Sequence, residues 1–304
     1  MSFRSEKKKI AGTVLLSLFV LCRTGVAQPK RLAPDPRAVF DGYVKILCEE
    51  ASLAESVRHI KSFSRIDPAI AKAYSIAKKG DLAGGLAALD KIPKPIAKVP
   101  VKFLYWELRG DIQRRLGDLP AARHSIRELL TLGGTDTSRV ELQAWRFLRE
   151  LGEKPAEPEA NRVLGVVVQV NTSGHVMAVA GYADGSSRLA NDSGVVMLGD
   201  KATFSKEIRD AAASLTLAAQ KSLGQVPPQG ACKAPGRGEV QFALLTPTGI
   251  HTAVASYESL QKSDHPLHSL WTASNKLIEP SLNYYKKMAD DPRAKKLPSR
   301  PPKH

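Results

Sequence analysis

The sequence predicts a two-part chain: an N-terminal all-α helical repeat, then an α+β unit in which two helices pack on an antiparallel sheet. Three observations carry this. Apolar residues keep helical spacing as far as residue 151, and one helix–turn–helix pattern occurs twice within that stretch. From Val163 the chain changes to short β-branched runs divided by turn residues. With 304 residues, 43% of them hydrophobic, the chain has apolar material for two modest cores.

The elements follow in order. Residues 1–27 have a basic start (Arg4, Lys7, Lys8, Lys9), an apolar stretch from Ile10 to Cys22, and a small-residue exit at Gly25-Val26-Ala27. That is the build of a secretory signal peptide cleaved near Ala27, and its apolar part is too short to span a bilayer. Export to the periplasm or the exterior is the expected location. Residues 28–36, QPKRLAPDP, read as an extended lead-in. Val39, Tyr43, Ile46 and Leu47 mark a first helix, and Leu53, Val57, Ile60 and Phe63 a second, after a break at residues 49–52.

From Pro68 the pattern repeats. AIAKAYSIAKKGDLAGGLAALDKIP places Ala73 on a first helix, a turn at Gly80-Asp81, and Gly85 and Leu89 on a second. FLYWELRGDIQRRLGDLPAARHSIRELLTLG returns to it, with Trp106 and Gly110 on the first helix, Gly117-Asp118 at the turn, and Ala122 and Ile126 on the second. Gly110 and Ala122 remove bulk where paired helices meet, Trp106 supplies area to bury, and Gly117 ends a helix in a left-handed conformation. This spacing of Trp, Gly, Gly-Asp, Ala and an apolar residue closely resembles the tetratricopeptide repeat. A single unit cannot bury its apolar face, so the helices at 37–63 and 137–151 are expected to stack on the two units, giving a helical domain over 37–151.

The resemblance implies a concave surface that holds a segment of a partner protein. Its contact residues would lie on the first helix of each unit: Lys72, Ser75 and Lys79, then Arg109 and Gln113. It implies no catalytic residue and no cofactor.

GEKPAEPEAN, residues 152–161, is polar and contains two prolines, which suits a linker. The α+β unit spans 162–288. VLGVVVQV and HVMAVAGY form a hairpin, residues 188–190 and 195–198 a weaker strand pair, 203–223 a helix, EVQFALL and IHTAVASY a second hairpin, and 268–288 the last helix. Residues 289–304 are basic and proline-rich and read as a disordered tail able to meet an anionic surface.

Lys and Arg total 45 against 30 Asp and Glu, and the excess persists after leader removal. A basic balance admits nucleic acid, but aromatics are only 6% and neither a stacking platform nor a recognition helix is visible, so nucleic acid is not expected. After cleavage two cysteines remain, Cys48 and Cys232, either bridged or buried as separate thiols. His265 and His268 lack the further ligands a zinc site needs, and Asp184, Asp192 and Asp200 do not have EF-hand spacing, so no metal is expected. No GxSxG or HExxH motif occurs.

The reading is a non-enzymatic interaction scaffold or adaptor of the bacterial cell envelope, with envelope proteins as partners and no small-molecule cofactor. The alternative is an enzyme or ligand-binding module in the α+β unit, positioned by the repeats. His175 and His251, each opening a strand directly after or near a glycine, and the aspartates of 184–200 would then line its site.

Overall fold

The computed structural model describes residues 36–48, 51–58, 60, 67–96, 98–133, 137–171, 174–192, 196–199, 204–228 and 231–290. The expected leader, nearly all of the lead-in, the tail beyond Asp290, and Asp200 lie outside these residues.

Helices come first: α1 (Pro36–Leu47), α2 (Leu53–Val57), α3 (Pro68–Lys78), α4 (Leu82–Asp90), α5 (Val99–Arg115), α6 (Leu119–Leu130) and α7 (Thr137–Glu150). A mixed α+β part follows, with strands β1 (Gly165–Asn171), β2 (Val176–Tyr182), β3 (Ser187–Asn191) and β4 (Val196–Gly199). Then come α8 (Lys206–Ser222), β5 (Glu239–Thr246), β6 (Gly249–Ser256), the short α9 (Tyr257–Leu260) and α10 (His268–Asp290). Among the described residues no helix is long and apolar enough to cross a membrane.

Local chemistry starts α3. Asp67 caps α3, its carboxylate accepting from the amides of Ala69 at 2.9 Å and Ile70 at 3.1 Å, with Pro68 at the first helical position. Helices α3 and α4 pair, as do α5 and α6, and α7 packs on α6. Their shared core includes Ile70, Leu89, Leu108, Ile112, Ile126, Phe147 and Leu148.

The sheet is antiparallel with order β4-β3-β2-β1-β5-β6. Successive side chains on a strand point to opposite faces. Val166, Val168, Val179, Leu189, Phe242 and Leu244 therefore share one face, under Ile208, Ala212, Leu215, Leu270, Trp271 and Leu277 of α8 and α10. Gly181 allows this approach: a Cβ there would lie 2.9 Å from Leu277 Cδ2 and 3.2 Å from Ala212 Cα.

The other face differs from expectation. Val167, Ala178, Ala180, Tyr182, Ala243 and Leu245 are covered by Phe40, Val44 and Leu47 of α1 and Leu142 of α7. Helices thus lie on both sides of the sheet, and the Tyr182 hydroxyl donates to the Leu47 carbonyl at 3.0 Å. Burial on both faces explains why β1, GVVVQVN, is buried at every position where a half-exposed strand would alternate. Helix α1, read from the sequence as a cap on the repeats, takes its apolar stripe to the sheet instead. A stripe specifies that a face is buried, and not what buries it.

The stretch read as a linker is tied on both sides. Arg127 pairs with Glu153 at 2.9 Å, and Arg162 pairs with Glu141. Gln220 Nε2 donates to the Asn161 carbonyl at 2.9 Å, and the Arg149 guanidinium donates to the Pro247 carbonyl. Ser138 and Asp184 exchange bonds at 3.0 Å, so the start of α7 is fastened to the β2–β3 turn.

Candidate functional site

The two helical hairpins share their turn chemistry. Gly80 and Gly117 have φ of +100° and +82°, a region that glycine enters without a Cβ penalty. The following aspartates cap the next helices, Asp81 accepting from Gly84 N at 2.8 Å and Asp118 from Ala121 N at 3.0 Å. Where the helices of each hairpin touch, small residues are required. A Cβ on Gly85 would sit 2.9 Å from Ala77 Cβ, and one on Gly110 would sit 2.6 Å from Ile126 Cδ1. Ala73, Leu89, Ala122 and Ile126 are fully buried. Trp106 is half-buried, edge-on to Tyr105, with the Lys94 ammonium 5.9 Å from its ring.

The five candidate contact residues separate into two groups. Lys72, Ser75 and Lys79 are exposed and lie along one side of α3, the Ser75 hydroxyl donating to the Ala71 carbonyl at 2.8 Å. Arg109 is half-buried on α5, paired with Asp90 at 2.5 Å and within 3.3 Å of the Tyr105 hydroxyl. It clamps α5 to the end of α4. Gln113 faces no groove: it is buried, and its Oε1 accepts from the Ser125 hydroxyl of α6 at 2.6 Å. Its role is to satisfy a polar group inside the hairpin.

Three residues absent from the sequence reading form a partly buried polar chain across α2, α5 and α7. Gln143 Nε2 donates to Ser56 Oγ at 3.0 Å, and the Ser56 hydroxyl is bonded to the Glu107 carboxyl. Glu107 is 1% exposed. Burial pushes its carboxyl up to about 8, and the Asp111 carboxylate one turn on adds to the rise against the lowering bond from Ser56. Asp111 itself is neutralised by Arg114 at 2.7 Å and Arg115 at 3.8 Å. One signal for this site was present: Ser52-Leu-Ala-Glu55 is a capping box, formed here by Glu55 N donating to Ser52 Oγ at 3.2 Å and Ser52 N donating to Glu55 at 2.9 Å.

Among the described residues, the two histidines of the alternative site do not meet. Because β1 and β5 run antiparallel, the β1–β2 turn and the β5–β6 turn lie at opposite ends of the sheet. His175 and His251 are therefore far apart along the strands. His175 is exposed, 3.5 Å from Asp192, and His251 Nδ1 is 3.1 Å from the Val226 carbonyl. Asp192 accepts from Val176 N at 2.8 Å, while Asp184, at the other end, accepts from Ser138 N and from Ser186. Both carboxylates close turns. His268 Nδ1 lies 2.9 Å from the Leu260 carbonyl, and His265 Nδ1 accepts from Leu267 N at 3.1 Å. Among the described residues no group of three His, Cys, Asp or Glu is placed to hold a metal ion.

Cys48 and Cys232 are joined as a disulfide with their Cα atoms 6.7 Å apart. It fastens the end of α1 to the loop before β5. That loop also meets the sheet through polar side chains: Gln169 Nε2 donates to the Lys233 carbonyl at 3.3 Å and to Gln241 at 2.6 Å, and Asn171 Nδ2 donates to the Pro235 carbonyl at 3.0 Å. No protein-family model matches the chain, nor does any curated protein or solved structure.

Proposed function

We propose that the chain is a non-enzymatic scaffold of the bacterial cell envelope. Its first part is a tetratricopeptide-like helical region that holds a segment of a partner protein, and its second is an α+β domain that adds a further contact. The observation that carries this reading is the duplicated hairpin. Two consecutive helix pairs have the same Gly-Asp turn, the same aspartate cap and the same small-residue crossing. Stacked units of this kind present an extended surface made from several helices, which suits them to holding a partner segment.

Lys72, Ser75 and Lys79 remain exposed on the first helix of the first unit, and the two ammonium groups favour an acidic partner segment. Arg109, half-buried against Asp90, borders it. The leader-like N-terminus supports an encounter outside the cytoplasm, a setting in which a disulfide such as Cys48–Cys232 persists.

The test is crosslinking of the full chain in its native envelope, with recovery of attached proteins by mass spectrometry. A reproducible protein partner is expected, and Lys72→Glu with Lys79→Glu should cut its recovery about tenfold. Recovery of lipid or glycan alone, or a partner indifferent to both charge reversals, would overturn the reading.

A further inference from the structure

Along α5 and α7, the helical surface is already covered by a piece of the same chain. Helix α2 has five residues, far fewer than the roughly 12–15 an isolated helix needs in water. It is helical because something holds it. Leu53, Val57 and Ile60, spaced i, i+4, i+7, are all buried and share a cluster with Leu104, Leu108, Ala144 and Leu148 of the two longer helices. Polar groups set its register: Leu53 N donates to Glu150 Oε2 at 3.1 Å, and Ser56 sits between Gln143 and Glu107.

The seat is not fully matched to its occupant. Glu107 Oε1 is buried with no hydrogen-bond partner, although an unpaired buried polar atom is costly. A helix that brought one more hydrogen-bonding group to this point would satisfy an atom that α2 leaves unsatisfied.

We infer that α2 is an internal stand-in for a ligand: the surface between α5 and α7 takes a short amphipathic helix of a partner protein, and the partner enters by displacing α2. Such a helix is apolar at i, i+4 and i+7, like Leu53, Val57 and Ile60. It carries Ser or Thr at i+3, as Ser56 does, and a further polar group that reaches Glu107. The inference rests on the scaffold reading, and it names both the class of partner and the intramolecular competitor. A competitor of this kind lowers apparent affinity by the fraction of time the surface is open.

A fluorescein-labelled peptide of residues 51–60, ASLAESVRHI, serves as the probe, with anisotropy read against the full-length protein. Leu53→Asp with Val57→Asp unseats α2, and this variant should bind the peptide roughly tenfold or more tighter than wild type. A peptide with the same two aspartates should not bind. Equal binding by wild type and variant, or none by a variant whose circular dichroism is unchanged, would overturn the inference. If that variant does not fold, hydrogen exchange on the wild type decides. Amides of residues 53–57 should exchange at least about tenfold faster than those of 104–112, and equal rates would mark α2 as ordinary core. The scaffold reading fails separately, through the envelope crosslinking and the α3 charge reversals, which do not touch α2.

Discussion

Glu107 turns a point on a helix into a pH-dependent contribution to stability. Its carboxyl, pushed from 4.5 up to about 8 chiefly by burial, keeps a proton in the folded chain that the unfolded chain releases. Stability from this group is therefore intact below about pH 4.5 and falls as the pH rises toward 8, by at most about 5 kcal/mol. The groups facing it are Asp111 on its own helix, already paired with Arg114 and Arg115, and the uncharged Ser56 of α2 and Gln143 of α7. Glu107→Gln should melt higher than wild type at pH 8 and by a smaller margin at pH 5. Thermal unfolding followed by circular dichroism reads this, and a pH-independent difference would show that the carboxyl stays ionised. The residue was not legible in FLYWELRGD, since a glutamate on a helix is ordinarily solvated; only tertiary packing removes it from water. Gln113 misled for the same reason, its buried bond to Ser125 depending on how α6 lies against α5.

At the scale of elements the helix pairs were the most readable feature, because Gly-Asp turns, caps and small crossing residues act within a few residues of sequence. Gly110 gives a direct test of that packing. Gly110→Ala adds a methyl at 2.6 Å from Ile126 Cδ1, and the clash should outweigh the roughly 1 kcal/mol gained in helix propensity, leaving a net loss of about 1–2 kcal/mol. Ile126→Val removes the opposing Cδ1 and costs about 1 kcal/mol by itself. The double mutant should be more stable than the sum of the two losses, a coupling that urea denaturation measures, and simple additivity would refute the contact. The destinations of α1 and α2 were not readable. Both show a helical stripe, yet one packs on the sheet and the other on α5 and α7, and α9 is too short to announce itself by periodicity.

For the whole molecule the disulfide joins segments 184 residues apart and holds α1 against the sheet. In the chain-entropy model a closed loop of that length stabilises by about 5 kcal/mol, through restriction of the unfolded ensemble. Cys48→Ser should lower the guanidinium midpoint clearly, and a reductant should do the same to wild type while leaving the Ser variant unmoved. Identical midpoints with and without reductant would show that the bridge does not form in solution. The same scale explains why the two strand-opening histidines do not cooperate: their hairpins look alike in sequence, but the antiparallel pairing of β1 with β5 sends their turns to opposite ends of the sheet.

The sequence by itself determined the helical start, the duplicated hairpin with its Gly80 and Gly117 turns, and the strand-rich second part, because propensity, capping and periodicity are properties of neighbours along the chain. Tertiary structure alone decided that the sheet is covered on both faces, that Cys48 meets Cys232, that Gln113 is internal, and that α2 occupies the surface between α5 and α7. Those outcomes depend on which buried face meets which, and an apolar stripe records the need for a partner without recording its identity.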